Sequence, residues 1–82
     1  NMTFEREQEF AFELSTIGKR IKKLRVNKKM TQSQLATFCD IDIRSIQRIE
    51  KGEQNLSISL LYSISESLEV LPYDLLNPNI KL

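Results

Sequence analysis

Residues 31–52 read TQSQLATFCDIDIRSIQRIEKG, and their spacing describes two short helices joined by a tight turn. Thr31 suits the N-cap of the first, because its hydroxyl accepts a hydrogen bond from an amide that the first helical turn leaves unpaired. Leu35, Phe38 and Cys39 then fall on one helical face. Asp40, Ile41 and Asp42 interrupt that pattern, and Asp42 is placed to cap a second helix. The second helix buries Ile46 and Ile49, three apart, and turns Arg44, Ser45, Gln47 and Arg48 outward. Gly52 ends it, since glycine accepts the positive φ of a helix terminus.

This stretch resembles the helix-turn-helix of the Cro/repressor-type (XRE-like) DNA-binding regulators. The matching residues are Thr31, Gln32, Leu35, Ala36, Ile41, Ser45, Ile46, Ile49, Glu50 and Gly52. With its flanks the resemblance covers about Ser15 to Leu76. It implies an all-α, five-helix, lambda-repressor-like domain in which small Ala36 sits where the two helices cross. Two positions depart from the family pattern: Asp40 stands where a turn glycine is usual, and Lys29 where glycine commonly ends helix 1. Asp tolerates the left-handed region moderately well and Lys less so.

The net charge of +1 hides an asymmetry. Residues 19–51 hold ten basic and three acidic side chains, whereas residues 1–18 and 52–82 each hold one base and four acids, so a block of +7 lies between flanks of −3. Such a block suits a face offered to a polyanion. With 82 residues, one Cys and no His, neither a disulfide framework nor a zinc cluster is expected. Cys39 reads as a small buried hydrophobe in a reducing compartment. A chain of this size buries only about 60% of the surface its unfolded form exposes, so marginal stability or a second subunit is expected. No apolar run approaches the roughly 20 residues of a membrane span. No signal peptide is read, and a cytoplasmic location is expected. Asn1 precedes Met2 and is expected to be an addition ahead of the natural start.

Three segments are expected: a helical N-terminal extension over 2–14, the helix-turn-helix domain over 15–76, and an irregular tail over 77–82. Phe10, Leu14, Ile17, Ile21 and Leu24 form one apolar stripe at spacings of four and three. The stripe fits either a single helix from about Thr3 to Lys28 or a break near Ser15 and Thr16, with Ser15 as a cap. Gly18 lies inside it at a cost of about 1 kcal/mol relative to Ala. Phe4, Phe10 and Phe12 need cover from the domain or from a partner subunit. Met30 packs beneath the turn. Ser57 is a cap for a helix over Ile58 to Leu68 with Leu61, Ile64 and Leu68 inward and Leu60 near the core. Pro72 opens a short fifth helix at the one position where its missing amide costs nothing, and Leu75 and Leu76 close the core.

The resemblance also assigns roles. Arg25 and Glu50 correspond to a buried structural ion pair. Ile43, Arg44, Ser45, Gln47 and Arg48 face base edges in the major groove, where each base pair shows a distinct donor and acceptor pattern. Arg44 or Arg48 suits guanine, Gln47 adenine, and Ile43 a thymine methyl. Gln32, with the start of its helix, and Lys29, Lys51, Gln54, Asn55 and Lys22 suit phosphates, which set register without reading sequence. One recognition helix reads few base pairs, so a homodimer on a palindromic operator is expected. The interface falls to Tyr62, Val70, Leu71, Tyr73 and Ile80, with Phe4, Phe10 and Phe12 as a second set.

The function expected is therefore that of a sequence-specific, homodimeric transcriptional regulator of double-stranded DNA, without a cofactor or metal. The alternatives are an antitoxin-type module that binds a protein partner and, within the DNA-binding class, a restriction–modification controller protein. Catalysis is not expected, because the carboxylates fall on caps, turns and solvated faces with no acid/base pairing.

Overall fold

Among residues 10–77, which the computed structural model describes, the chain forms five helices. These are α1 (Ala11–Asn27), α2 (Gln32–Phe38), α3 (Ile43–Lys51), α4 (Ile58–Leu68) and α5 (Pro72–Leu76). The side-chain caps are those the sequence implies. Thr31 Oγ1 accepts from the Gln34 amide at 3.0 Å and Gln34 Oε1 accepts from the Thr31 amide at 2.8 Å, a reciprocal capping box. Asp42 Oδ1 accepts from the Arg44 amide at 2.9 Å, and Ser57 Oγ from the Leu60 amide at 3.0 Å. Pro72 occupies the first turn of α5, where Asp74 accepts the Leu71 amide at 3.0 Å.

Four helices end alike. In each, an amide bonds a carbonyl five residues back: Met30 to Arg25, Ile41 to Ala36, Glu53 to Arg48 and Val70 to Ser65. This closure needs one left-handed residue, and Lys29 (φ 57°), Asp40 (φ 55°), Gly52 (φ 75°) and Glu69 (φ 59°) supply it. Lys29 and Asp40 thus adopt the conformation that their glycine-like positions demand. Glu69 does so without a sequence cue. Its carboxylate accepts from Lys28 Nζ at 2.7 Å, and that bond and charge hold its pKa below the ordinary glutamate value.

The core consists of Ile21, Leu35, Ala36, Ile46, Ile49, Leu61, Ile64, Leu68 and Leu75, with Met30, Cys39, Ile41 and Leu60 packed against it. Cys39 is half-buried, and that burial pushes its thiol pKa up. Among the described residues, every buried side-chain nitrogen and oxygen has a hydrogen-bond partner.

Several expectations need correction. Of the two readings of the N-terminal stripe, the break with Ser15 as a cap is the one set aside: α1 runs through Ser15 from Ala11, with Phe10 at the N-cap. Phe38 is 53% exposed. At 100° per residue it lies on the flank of Leu35 opposite Ala36, and the neighbouring helices cover the Ala36 side. Leu76 is 51% exposed, and Leu75 takes the core position on α5 instead. Phe10 and Phe12 are largely exposed, Phe12 by 78%, which leaves the partner subunit of the two expected covers. Phe4, Ile80 and the segments that hold them, 1–9 and 78–82, lie outside the described residues.

The junction that orients the domain lies between α1 and the C-terminal end of α3. A Cβ built on Gly18 would fall onto the carbonyl oxygen of Ile49 and within 2.8 Å of that of Glu50. A Cβ on Gly52 would meet the Ser15 Cα at 2.6 Å. Both glycines of the chain therefore serve this one close approach. Beside it, Arg25 Nε donates to Glu50 Oε2 at 2.6 Å and Nη2 to Oε1 at 3.1 Å, a buried bidentate pair. Arg25 Nη1 also donates to the Met30 carbonyl at 2.8 Å, which ties in the α1–α2 connection.

Two outcomes test this junction. Gly18→Ala should lower stability by about 1–3 kcal/mol through overpacking, despite alanine's better helix propensity, and a raised melting temperature would contradict the close approach. Glu50→Ala should cost about 3–5 kcal/mol in denaturant unfolding, because it strands the buried Arg25 guanidinium.

Candidate nucleic-acid interface

Helix α3, IRSIQRIEK, divides its surface between two tasks. Ile46, Ile49 and Glu50 point inward. Ile43, Arg44, Gln47 and Arg48 are exposed and Ser45 is half-buried. The exposed four follow the i, i+1, i+4, i+5 spacing of a single helical strip. The α1 junction meets the last turn of the helix at Ile49 and Glu50, and the first two turns carry this strip on the outside. Arg44, Arg48 and Lys51 have no ion-pair partner among the described residues. An α-helix with side chains is about 10–12 Å across, close to the roughly 12 Å width of the major groove.

The residues assigned to phosphates fall into three places. Lys22, Gln32 and Lys51 line a polar cavity of about 300 Å³ together with Gln47 and Glu50. Gln54 and Asn55 line a second, of about 520 Å³, with Arg48, Gly52 and Glu53, closed on one side by Ala11 and Leu14 of α1. Lys29 is exposed at its left-handed turn and joins neither group. Helix α3 therefore has a polar, partly basic rim on each side.

One contact was absent from the sequence reading. Gln32 Nε2 donates to Glu50 Oε1 at 3.0 Å. Glu50 thus receives Arg25 and Gln32 together, which links the start of α2 to the end of α3. No local pattern points to a bond between residues 18 positions apart, so no sequence signal could have revealed it.

The interface candidates are also partly gathered. Tyr62, Val70 and Leu71 line one shallow groove of about 400 Å³ with Pro72, and Tyr73 is exposed on α5. Tyr62 is 61% exposed. Phe12 stands elsewhere, lining an apolar groove of about 270 Å³ with Ile17 and Leu76. Among the described residues, no helix is long and apolar enough to cross a membrane.

Comparison with known proteins agrees with this geometry. The helix-turn-helix family matches residues 21–75. The control protein C.BamHI of Bacillus amyloliquefaciens is 38% identical over 61 residues, which cover 73% of this chain and 75% of that protein. The crystal structure of the restriction-modification controller protein C.Esp1396I is 38% identical, with a TM-score of 0.71 over 79% of this chain and 87% of that one. That of the restriction-modification controller protein C.AhdI from Aeromonas hydrophila is 27% identical, with a TM-score of 0.73 over 76% and 94% of the two chains. Members of the family are DNA-binding regulators and not enzymes. The chain accordingly belongs to the Cro/repressor-type helix-turn-helix family of DNA-binding regulators and closely resembles the controller proteins of restriction–modification systems.

Proposed function

We propose that this protein is a controller-type regulator that binds, as a homodimer in the cytoplasm, a two-fold-symmetric operator governing the genes of a restriction–modification pair. The observation that carries the reading is the 38% identity to two control proteins. It joins an α3 whose first two turns offer Ile43, Arg44, Gln47 and Arg48 to the outside. The antitoxin reading has no comparable support.

In this reading α3 enters the major groove. Arg44 and Arg48 donate in bidentate fashion to guanine O6 and N7, Gln47 pairs with adenine N6 and N7, and Ile43 packs on a thymine methyl. Ser45, half-buried, touches the edge of the same surface. Lys22, Gln32 and Lys51 on one rim, Gln54 and Asn55 on the other, and Lys29 beside them hold phosphates and fix the register. Gln32 is supported in that role by Glu50, which takes one of its amide hydrogens and leaves the other for a phosphate oxygen. The face formed by Tyr62, Val70, Leu71 and Tyr73 joins two copies so that their α3 helices meet successive major grooves.

Selection of bound sequences from random duplex DNA should yield two inverted half-sites with centres roughly 34 Å apart. In the source genome, that site should stand before a methyltransferase or endonuclease gene; a site found elsewhere would count against the controller reading. Arg44→Ala should lose about 1–3 kcal/mol of discrimination at one guanine of each half-site, measured by competition titration. An unaltered base preference would remove α3 from the role of reader.

A further inference from the structure

Helix α1 and its C-terminal turn carry more positive charge than the fold uses. Among the five basic residues inside α1, Arg25 is consumed by Glu50, and Arg20 Nη1 donates to the carbonyls of Asp74 and Asn77. Lys28, just beyond the helix, pairs with Glu69. That leaves Lys19, Lys22 and Lys23, all exposed and without an ion-pair partner among the described residues. They stand at i, i+3 and i+4, the spacing that places side chains on one helical face, and like charges at that spacing repel one another. The only acid described on α1, Glu13, lies more than a turn away. Lys19, Lys22 and Lys23 line a groove of about 290 Å³ that continues to Val26 and Asn27.

This stripe is continuous with the recognition surface. Lys22 borders two cavities at once: the groove with Lys19 and Lys23, and the polar cavity with Gln32, Gln47 and Lys51. A positive track thus leaves the flank of α3 and runs along α1. From Lys19 to Lys23 it advances about 6 Å along the helix, comparable with the axial rise of two nucleotides of one DNA strand at about 3.4 Å each. Lysine is a compact point charge on a flexible stem, suited to phosphate oxygens and poorly suited to the forked readout of bases.

We infer that Lys19 and Lys23, entered through Lys22, form a second backbone track that holds phosphates of the same duplex beyond those met by the helix-turn-helix. The inference rests on the DNA-binding reading of α3 and adds a sequence-independent share of affinity to it. The track neutralises about one to two further phosphates per subunit, each worth about 0.9 in the slope of log affinity against log salt.

The test is a salt series of titrations on two duplexes of equal length, one carrying the selected operator between flanks and one of random sequence. The full chain is compared with Lys19→Gln/Lys23→Gln, Lys19→Arg/Lys23→Arg and Lys28→Gln. The double Gln variant should lower the slope by about one to two per subunit on both duplexes, while the ratio of operator to random affinity stays as in the parent. The double Arg variant should restore the slope, and Lys28→Gln, which removes a charge already paired, should leave it unchanged. An unaltered slope for the double Gln variant, or an equal fall for Lys28→Gln, overturns the track. Failure of the functional reading would show separately, as a parent protein with no operator preference, and the random duplex would still decide whether the lysines hold phosphate.

Discussion

The buried pair of Arg25 and Glu50 is the contact on which the rest of this domain is aligned. It lies where α1 crosses the end of α3, beside two glycines that let the backbones approach more closely than any side chain would permit. Such a pair adds little net stability, because desolvation of both charges offsets most of their attraction. Its value lies in geometry. A bidentate guanidinium–carboxylate fork accepts one orientation, and here it also binds the Met30 carbonyl and the Gln32 amide. Three connections of the helix-turn-helix are therefore referred to a single point, which fixes the last turn of α3 while Ile46 and Ile49 seat its inner face in the core.

The stability of the fold comes from elsewhere, from nine buried apolar residues spread over all five helices. That core is small, and three of the four left-handed helix ends are not glycine, a substitution that costs conformational energy at each. Tight closure at those ends keeps the connections between successive helices short. Association through the exposed α4–α5 face would add stability by mass action. The same surface would then serve both to keep the protein folded and to space two recognition helices.

Much of this was legible in the sequence, because the determinants of the helix-turn-helix are local. Thr31, Asp42, Ser57 and Pro72 mark helix starts by their hydrogen-bonding chemistry or fixed φ, and Ile46 and Ile49 define the inner face of α3 by spacing alone. What periodicity cannot convey is whether a face has a neighbour. Phe38 and Leu76 read as core residues yet stay about half exposed, and the stripe through Ser15 suits a broken helix as well as a continuous one. Gly18 looked like a tolerated weakness in α1, whereas its lack of a side chain is what allows α3 to dock. The partnership of Gln32 with Glu50 depends on tertiary placement and leaves no trace in sequence.

The outward strip of α3 was legible for a different reason. A helix that buries Ile46 and Ile49 must turn Arg44, Gln47 and Arg48 the other way, whatever the rest of the chain does. The central claim is that this outward strip, and not the apolar α4–α5 face, meets DNA. Titration of isotopically labelled protein with its operator duplex, followed by amide and methyl chemical shifts, addresses that claim most directly. The account predicts the largest changes at Ile43 to Arg48 and contacts from the Ile43 methyls to major-groove protons. Changes concentrated at Tyr62, Leu71 and Tyr73, with α3 unmoved, would contradict it.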